Sequence, residues 1–594
     1  MYFKPWSITV TLAVLLTGLW SMSGTFDSGD ALNRLRATEQ FFSPTGLVVA
    51  SQGKPVRGGY SLFVDQGGSY ISSWGPGQPL LFVPYNLIAG AVSQPLAQKF
   101  DWSNADILRI KRFIVSSLVS LSCLLVVFWL EILVAMALGC GQWLALGIAV
   151  LGTFGSMFWS MWKQGQEEVQ LAICLLGMIY GWLRWQKSLV MSITATGNTT
   201  DLQNLPGSQD LSLDLAQPSP KAASQKVTNK WVWFSSGMVA IALLFRTTAL
   251  PMVLASIWLF VTAAIRINAN PAITGNIKAA KQDFWRRWQW LIIPQVVCHS
   301  IAIAILATYN YIKTGNPLKA GIPLEDFYGR WWSGITEPIW GIDKGIIWTN
   351  PWLLPALITT VLLWQYLSVH HRQLLIVTLF LFSASIAIYA NWLTWAGDHT
   401  YGARFQVHLL PCLTVLLGSS IGLYGRHLMP HLPHVLAKLI NGKALQVKIL
   451  ALALCILLQV PSISLIHGLE IYQAMRAGLW QHSTSMSPTQ HLPQIPTRYK
   501  NFWLKLTTQA EVLPLPPAVP ITGDPSRQFL ISDADYYGAQ RWNFWPWLSL
   551  WRISPDLSQI LMIVWYVLVI LSVSLWLLLA YWGSQGVVKG QQPH

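Results

Sequence analysis

Long apolar stretches, separated by short polar ones, run along most of the chain. A helix needs about 20 mostly apolar residues to cross the hydrocarbon core of a membrane. The stretches that approach or exceed this length are 6–23, 113–137, 142–160, 168–185, 232–265, 290–309, 352–368, 373–394, 405–424, 447–466 and 559–581. This pattern predicts an all-α polytopic membrane protein with about 11–13 transmembrane helices.

Three stretches need a closer look, and one of them, 79–96, is additional to those above. Stretch 232–265 contains Arg246 and Pro251 in its middle, so we expect two helices that meet at a membrane surface. Stretch 79–96 is short and interrupted by proline, and it either crosses the membrane or re-enters on the same side. The first stretch is followed by SMSG, so a cleaved signal peptide is an alternative to a first membrane helix.

The composition supports the membrane interpretation. Hydrophobic residues make up 53% of the chain and charged residues 11%, against about a quarter charged in soluble domains. The net charge of +15 is consistent with basic residues that are concentrated in cytoplasmic loops. The sequence contains no recognisable nucleic-acid-binding module, so we expect no nucleic-acid partner. The six cysteines lie in or beside apolar stretches without a CxxC pair, which is typical of small core residues.

The Lys and Arg clusters predict the topology. They put 24–78, the vicinity of Arg246, 310–351, 395–404 and 467–558 outside, with the C-terminus cytoplasmic. The helices between 79 and 185 do not alternate consistently. Either 79–96 does not cross, or the basic group at 109–112 is not inside.

The same pattern predicts how the chain is organised. The predicted units are a transmembrane module at 1–425 with a disordered cytoplasmic loop at 188–230, a cytoplasmic loop and membrane helix at 426–466, a small extracytoplasmic cap at 467–558, and a last membrane helix with its tail at 559–594.

Acidic residues are nearly absent from the predicted spans, with Glu131 as the main exception. They gather instead at the predicted outer ends of helices, at Asp27, Asp30, Asp65, Glu167, Glu168, Glu325, Asp326, Asp343 and Asp398. A proton-coupled transporter is expected to hold ionisable groups at mid-membrane. The distribution therefore favours a chemical site at the boundary between water and lipid.

Four polar stretches carry candidate chemistry. FDSGDALNRL holds Asp27 and Asp30 at a helix exit, where a helix cap or a solvated loop charge is the alternative. GGSYISSWGPGQPLL prescribes a sharp bend, for which a simple loop is the alternative. MWKQGQEEVQ places Lys163, Glu167 and Glu168 between two apolar helices, and a short polar hairpin without a chemical role is the alternative.

The fourth stretch is NWLTWAGDHTYGARFQVHLLPCL. It combines Trp395 and Tyr401 with Arg404 at the start of the next helix, and the fork of an arginine suits bidentate binding of phosphate. An aromatic belt at the membrane interface accounts for the Trp and Tyr alone.

Taken in order, these stretches resemble those of the GT-C glycosyltransferases, the polytopic enzymes that include protein O-mannosyltransferases and lipid A aminoarabinose transferases. The similarity runs over about 10–425 and also includes LLFRTTALPMVL, YNYIKTGNPLKAGI and TNPWLLPAL. It implies a GT-C-like catalytic module with a large first external loop. It also implies inverting transfer of a sugar from a polyprenyl-phosphate donor to an acceptor hydroxyl on a glycan, lipid or protein.

The resemblance also suggests roles for single residues. Asp30 would be the base, with Asp27 as its partner or as a metal ligand, although Ala31 follows Asp30 where many members carry glutamate. Arg246 and Arg404 would bind the donor phosphate, with Lys163 as a further candidate. The remaining candidates are Glu168 and Glu167 for the acceptor or a metal, and Trp74, Trp395 and Tyr401 for stacking on the sugar.

Other properties follow from the same resemblance. It implies a multi-pass protein of a bacterial plasma membrane with an extracytoplasmic site and membrane lipid around it, and it leaves a divalent cation open. A lipid or polysaccharide transporter without glycosyl transfer is the alternative function, and a membrane scaffold without catalytic activity is a third.

Overall fold

In the computed structural model, the residues described here are 5–24, 29–40, 48–50, 62–64, 70–72, 75–100, 103–163, 165–195, 229–268, 277–318, 331–342, 344–391, 403–425, 427–428, 444–465, 469, 494–508, 542–545 and 555–589. Most of the predicted loop 188–230 and most of the predicted cap 467–558 lie outside them.

Helices make up nearly all of the described chain. Their bounds are α1 Pro5–Ser21, α2 Gly29–Gln40, α3 Gly77–Phe100, α4 Asn104–Ala137, α5 Gln142–Phe154, α6 Phe158–Trp162, α7 Glu167–Ala195, α8 Lys230–Phe245, α9 Leu250–Asn268, α10 Ile277–Thr314, α11 Trp331–Trp340, α12 Ile346–Thr349, α13 Leu353–Leu362, α14 Val369–Ala390, α15 Leu410–Tyr424, α16 Ala444–Ser464, α17 Gln494–Thr508 and α18 Pro555–Lys589. Short 3-10 helices occupy Thr247–Ala249, Trp364–Tyr366 and Arg404–Leu409.

The described helices have the lengths and composition of membrane spans. Seven are long and apolar enough to cross a membrane, and five more are apolar but shorter, at 10–17 residues. The protein is therefore an integral multi-pass membrane protein.

Contacts between helices define two ends of the bundle. At one end, Trp6 at the start of α1 packs edge-on against Trp129 of α4 and Trp143 of α5, with ring centroids 6.1 and 6.2 Å apart. At the other end, Gly24 just after α1 adjoins Phe113 near the start of α4. We call this second end the site end. Helices α1 and α4 thus run in opposite directions.

These contacts resolve the inconsistent topology between 79 and 185. Gly77 at the start of α3 lies at the site end, against the backbone of Phe245 at the end of α8. Phe113 also lies at this end and is only about 14 Å along α4 from its first residue. That distance is too short for the start of α4 to bring the chain back across a hydrocarbon core of about 30 Å. Helix α3 therefore starts and ends on the same side, and the basic group at 109–112 lies at the site end.

The segment between α1 and α3, which the sequence predicts to be the first external loop, contains both a helix and a small sheet. Helix α2 follows α1 directly, and three short strands, β1 Val48–Ala50, β2 Leu62–Val64 and β3 Tyr70–Ser72, come after it. The sheet is antiparallel with the order β1-β3-β2. The sequence pattern predicted helices alone, and the sheet is an addition to the predicted helical fold. Its last strand leads into the glycine-rich bend before α3.

Candidate active site

Two adjacent glutamates are placed by the hairpin between α6 and α7. Gly165 has a φ of 67°, a left-handed conformation that favours glycine and turns the chain between the two helices. The side chain of Gln78, at the start of α3, donates to the carbonyl of Gly165 and holds this turn. Glu167 and Glu168 then form the first turn of α7, where the helix dipole favours acids, and both are fully buried.

Three arginines from three other parts of the chain contact these glutamates. Arg34 Nη2 lies 2.6 Å from Glu167 Oε2. Arg246 Nε lies 3.1 Å from Glu167 Oε1, and its Nη1 lies 3.0 Å from Glu168 Oε1. Arg404 Nε lies 2.8 Å from the same Glu168 oxygen. These five residues are buried together at the site end, and we call them the arginine–glutamate cluster.

Arg246 reaches the cluster because a helix breaks there. Helix α8 ends at Phe245, and Arg246 is extended, with φ −155° and ψ 125°, before the chain turns into α9. The predicted bend at Gly75 and Gly77 packs directly on this break. A Cβ atom at these two positions would lie 2.7 and 2.6 Å from the backbone of Leu244 and Phe245. Both glycines are therefore required for this close packing.

Arg404 opens the 3-10 helix that leads into α15, and an aromatic pair lies beside it. Phe405 stacks on Tyr389 at the end of α14, with ring centroids 4.1 Å apart and planes 9° apart. The guanidinium of Arg246 lies 4.9 Å from the Phe405 ring and 5.1 Å from the Tyr389 ring. Thr248 fixes the Tyr389 hydroxyl with a hydrogen bond of 2.7 Å. Cation–π contacts and ion pairs thus orient the same guanidinium.

A cavity adjoins the cluster. Its lining includes Arg246, Thr248, Tyr389, Phe405 and His408, and its volume of about 20 Å³ is enough for one water molecule. A sugar does not fit into this space as the side chains stand. A larger ligand therefore requires the aromatic pair to move or has to approach the cluster from another side.

The cluster is rich in guanidinium groups. Among the described residues, it combines three guanidinium groups with two carboxylates. Guanidinium groups suit the oxygens of a phosphate. A divalent cation at these carboxylates would have to displace the arginines. Within the described part of the chain, no group of three or more His, Cys, Asp or Glu side chains is placed to hold a metal.

The structure brings together four of the residues predicted from the sequence, namely Glu167, Glu168, Arg246 and Arg404. Lys163 lies on the same hairpin, but its ammonium group points to other partners. Its Nζ donates to the carbonyls of Ile463 and Asn543, both at 2.7 Å. These contacts tie the hairpin to the end of α16 and to the segment 542–545.

The predicted base is described only in its backbone. Asp30 lies in the first turn of α2, one helical turn before Arg34, which reaches the cluster. The other predicted site residues, Asp27, Trp74, Trp395 and Tyr401, lie outside the described residues.

Sequence analysis missed three residues of the site, namely Arg34, Tyr389 and Phe405. A signal existed for Arg34, because it follows Asp30 by four residues and a helix places such residues on one face. Tyr389 and Phe405 carried no comparable signal, because aromatic residues are common near the ends of membrane helices.

Comparisons with known proteins find similarity to a solved structure but to no protein family. No family model matches the chain, and no curated protein matches it. Among solved structures, it is similar to the archaeal oligosaccharyltransferase AglB from Archaeoglobus fulgidus in complex with an inhibitory peptide and a dolichol-phosphate, with 11% sequence identity and a TM-score of 0.41. The match covers 92% of this chain and 64% of that chain, so this chain spans less than two thirds of the archaeal protein.

Proposed function

We propose that this protein is an inverting glycosyltransferase that moves a sugar from a polyprenyl-phosphate-linked donor to an acceptor hydroxyl. The observation that carries this proposal is the arginine–glutamate cluster, a buried site with three guanidinium groups at one end of a membrane bundle. A lipid that carries a phosphate presents its headgroup at this level while its tail stays in the membrane.

In this proposal, Arg246 and Arg404 bind the donor phosphate. The contacts of their Nε atoms with Glu167 and Glu168 fix the plane of each guanidinium before the donor arrives. As the bond between the anomeric carbon and the phosphate oxygen breaks, negative charge grows on the leaving phosphate. Cations already held in place stabilise this charge without reorganisation. Lys163, held by two carbonyl oxygens, has a structural role instead.

The proposed base is Asp30, with Asp27 as its partner. The acceptor hydroxyl gives its proton to the carboxylate while its oxygen attacks the anomeric carbon. Helix α2, which carries Asp30, is tied to the cluster by Arg34 and to the start of α3 by the hydroxyl of Thr38, which donates to the Pro79 carbonyl at 3.0 Å. Asp30 precedes Arg34 by four residues in α2, about one helical turn, which supports this assignment.

The contacts of Glu167 and Glu168 favour a positioning role over the acceptor or metal binding expected from the sequence. Each carboxylate contacts two guanidinium groups at 2.6–3.1 Å. Asp27 remains the candidate ligand for a divalent cation.

We place the site end on the extracytoplasmic side of a bacterial plasma membrane. Arg184 of α7 and Arg372 of α14 lie toward the opposite end, since Trp182 packs against His370 there. Basic residues concentrate on the cytoplasmic side of membrane proteins. The alternation of helices from α4 to α7 agrees with this orientation.

The test uses the full chain in proteoliposomes, supplied with radiolabelled polyprenyl-phosphate sugars and a membrane extract as the source of acceptor. Transfer is followed by release of polyprenyl phosphate together with labelled product. Asp30→Asn should abolish transfer while the protein still binds polyprenyl phosphate. Asp27→Asn, three residues away, is the matched variant and should lower the rate less.

Arg404→Lys should weaken binding of polyprenyl phosphate roughly tenfold or more, because a point charge does not replace the fork of a guanidinium. Full activity of Asp30→Asn would remove Asp30 as the base. If the wild-type protein neither binds polyprenyl phosphate nor consumes any donor of the panel, the proposed function is wrong.

A further inference from the structure

Helix α17 is attached to the end of a membrane helix through a buried arginine. Arg498 is fully buried, and its guanidinium donates to the carbonyls of Pro461, Ser462 and Leu465 at 3.3, 3.5 and 2.7 Å. These are carbonyls at the C-terminus of α16 or just beyond it, which lack partners within the helix. Arg498 therefore caps α16 and fixes α17 against it.

A second contact fixes the depth of α17 relative to the membrane. The hydroxyl of Tyr499 donates to the carbonyl of Leu458 at 2.6 Å. Leu458 precedes Ser464, the last residue of α16, by six residues, or about 9 Å along the helix. Helix α16 is about 31 Å long, close to the thickness of the hydrocarbon core. The hydroxyl end of the Tyr499 side chain thus lies below the end of a helix that only just spans the membrane.

The two faces of α17 differ in character. Arg498 and Asn501 are buried on one face, and Phe502 packs on Trp542. On the other face, Trp503 is 64% exposed and Leu506 is 55% exposed. Two large apolar side chains next to each other on an exposed face mark a surface that meets protein or lipid.

The charge of α17 completes the pattern. Its sequence QIPTRYKNFWLKLTT contains Arg498, Lys500 and Lys505 and no acidic residue. Lys500 is exposed on the same side as Trp503, while Lys505 lies over the Trp542 ring at 4.6 Å. A basic helix with an apolar face is typical of segments that lie in the membrane interface.

We propose that α17 lies in the headgroup layer of the leaflet at the site end and binds anionic phospholipid there. Trp503 and Leu506 enter the boundary of the acyl chains, and Lys500 contacts phosphate groups. The depth set by Tyr499, the absence of acid in α17 and its attachment to α16 select lipid as the occupant of this face. The inference does not depend on the proposed glycosyl transfer.

The first experiment measures whether the exposed face of α17 is in contact with lipid or with water. Trp503→Cys and Leu506→Cys are labelled with bimane in full-length protein in phosphatidylglycerol-containing vesicles, and the signal of labelled wild type is subtracted. A nitroxide phospholipid should quench both labels at least about threefold more than iodide does. Asn316→Cys, on the exposed turn after α10, is the control and should show the reverse order. Stronger quenching by iodide at 503 and 506, or protection from both quenchers, would overturn the proposal.

The second experiment tests the choice of headgroup. Lys500→Gln should lower the enrichment of phosphatidylglycerol over phosphatidylcholine around the protein about fivefold at low salt, measured with spin-labelled lipids. Lys187→Gln, an exposed lysine on α7, is the matched control and should leave enrichment at the site end unchanged. Equal enrichment in wild type and Lys500→Gln would show that the lysine does not bind anionic lipid.

Discussion

Neutralising Glu168 tests how much the arginine–glutamate cluster stabilises the protein. A single oxygen of Glu168 accepts from Arg246 at 3.0 Å and from Arg404 at 2.8 Å, in a fully buried position. Glu168→Gln keeps the size of the side chain and removes its charge. Among the described residues, three guanidinium groups then face one carboxylate. Removing one partner of a buried ion pair costs about 3–5 kcal/mol, and we expect a loss of this size.

Glu131→Gln is the matched control, because Glu131 is equally buried but contacts a hydroxyl. Its Oε2 accepts from Thr153 at 2.6 Å, and an amide oxygen keeps that hydrogen bond. We therefore expect a change below about 1 kcal/mol. Both variants are compared with wild type by thermal unfolding in the same detergent, followed by tryptophan fluorescence. The reasoning is refuted if Glu168→Gln unfolds at the same temperature as Glu131→Gln.

A double-mutant cycle separates the charge pair from the general effect of substitution. Arg404→Gln alone leaves Glu168 paired with Arg246. If the two charges interact directly, the double variant Glu168→Gln with Arg404→Gln should lose about 0.5–3 kcal/mol less than the sum of the single losses. Simple additivity would show that Glu168 and Arg404 act independently.

Two further predictions concern packing. In Gly334→Ala the new Cβ would clash with the carbonyl oxygen of Ala390, so α11 has to shift away from α14, and we expect the unfolding temperature to fall. Gly237→Ala is the control, because its new Cβ has no atom within 4 Å. This variant should leave the unfolding temperature unchanged or raise it slightly. Lys163→Met removes the donor to the carbonyls of Ile463 and Asn543 and so loosens the attachment of the segment 542–545. Limited proteolysis within 467–558 should therefore become faster while the bundle stays intact. Unchanged unfolding of Gly334→Ala, or unchanged cleavage of Lys163→Met, would contradict these assignments.

The membrane helices and the breaks between them were predictable, because lipid imposes a simple requirement. A segment that crosses the hydrocarbon core must be apolar and must satisfy its backbone within the segment. The division of 232–265 into two helices followed from Arg246 and Pro251, and the structure confirms it, with α8 ending at Phe245 and α9 starting at Leu250.

The path of α3 was not predictable by the same means. Stretch 79–96 is apolar enough to cross, and α3 has the length of a span. Its direction depends on where α4 begins, and only the packing of Phe113 beside Gly24 and of Gly77 against the end of α8 decides this.

The sequence by itself determined the residue types of the candidate site. Arginines and glutamates at helix ends are costly in a membrane protein, and their few positions stand out against an apolar background. Tertiary structure alone decided which of them meet. Glu167 and Arg34 are 133 residues apart, and Glu168 and Arg404 are 236 residues apart. Such contacts depend on how several helices pack against one another, and the periodicity of a single helix carries no information about that packing.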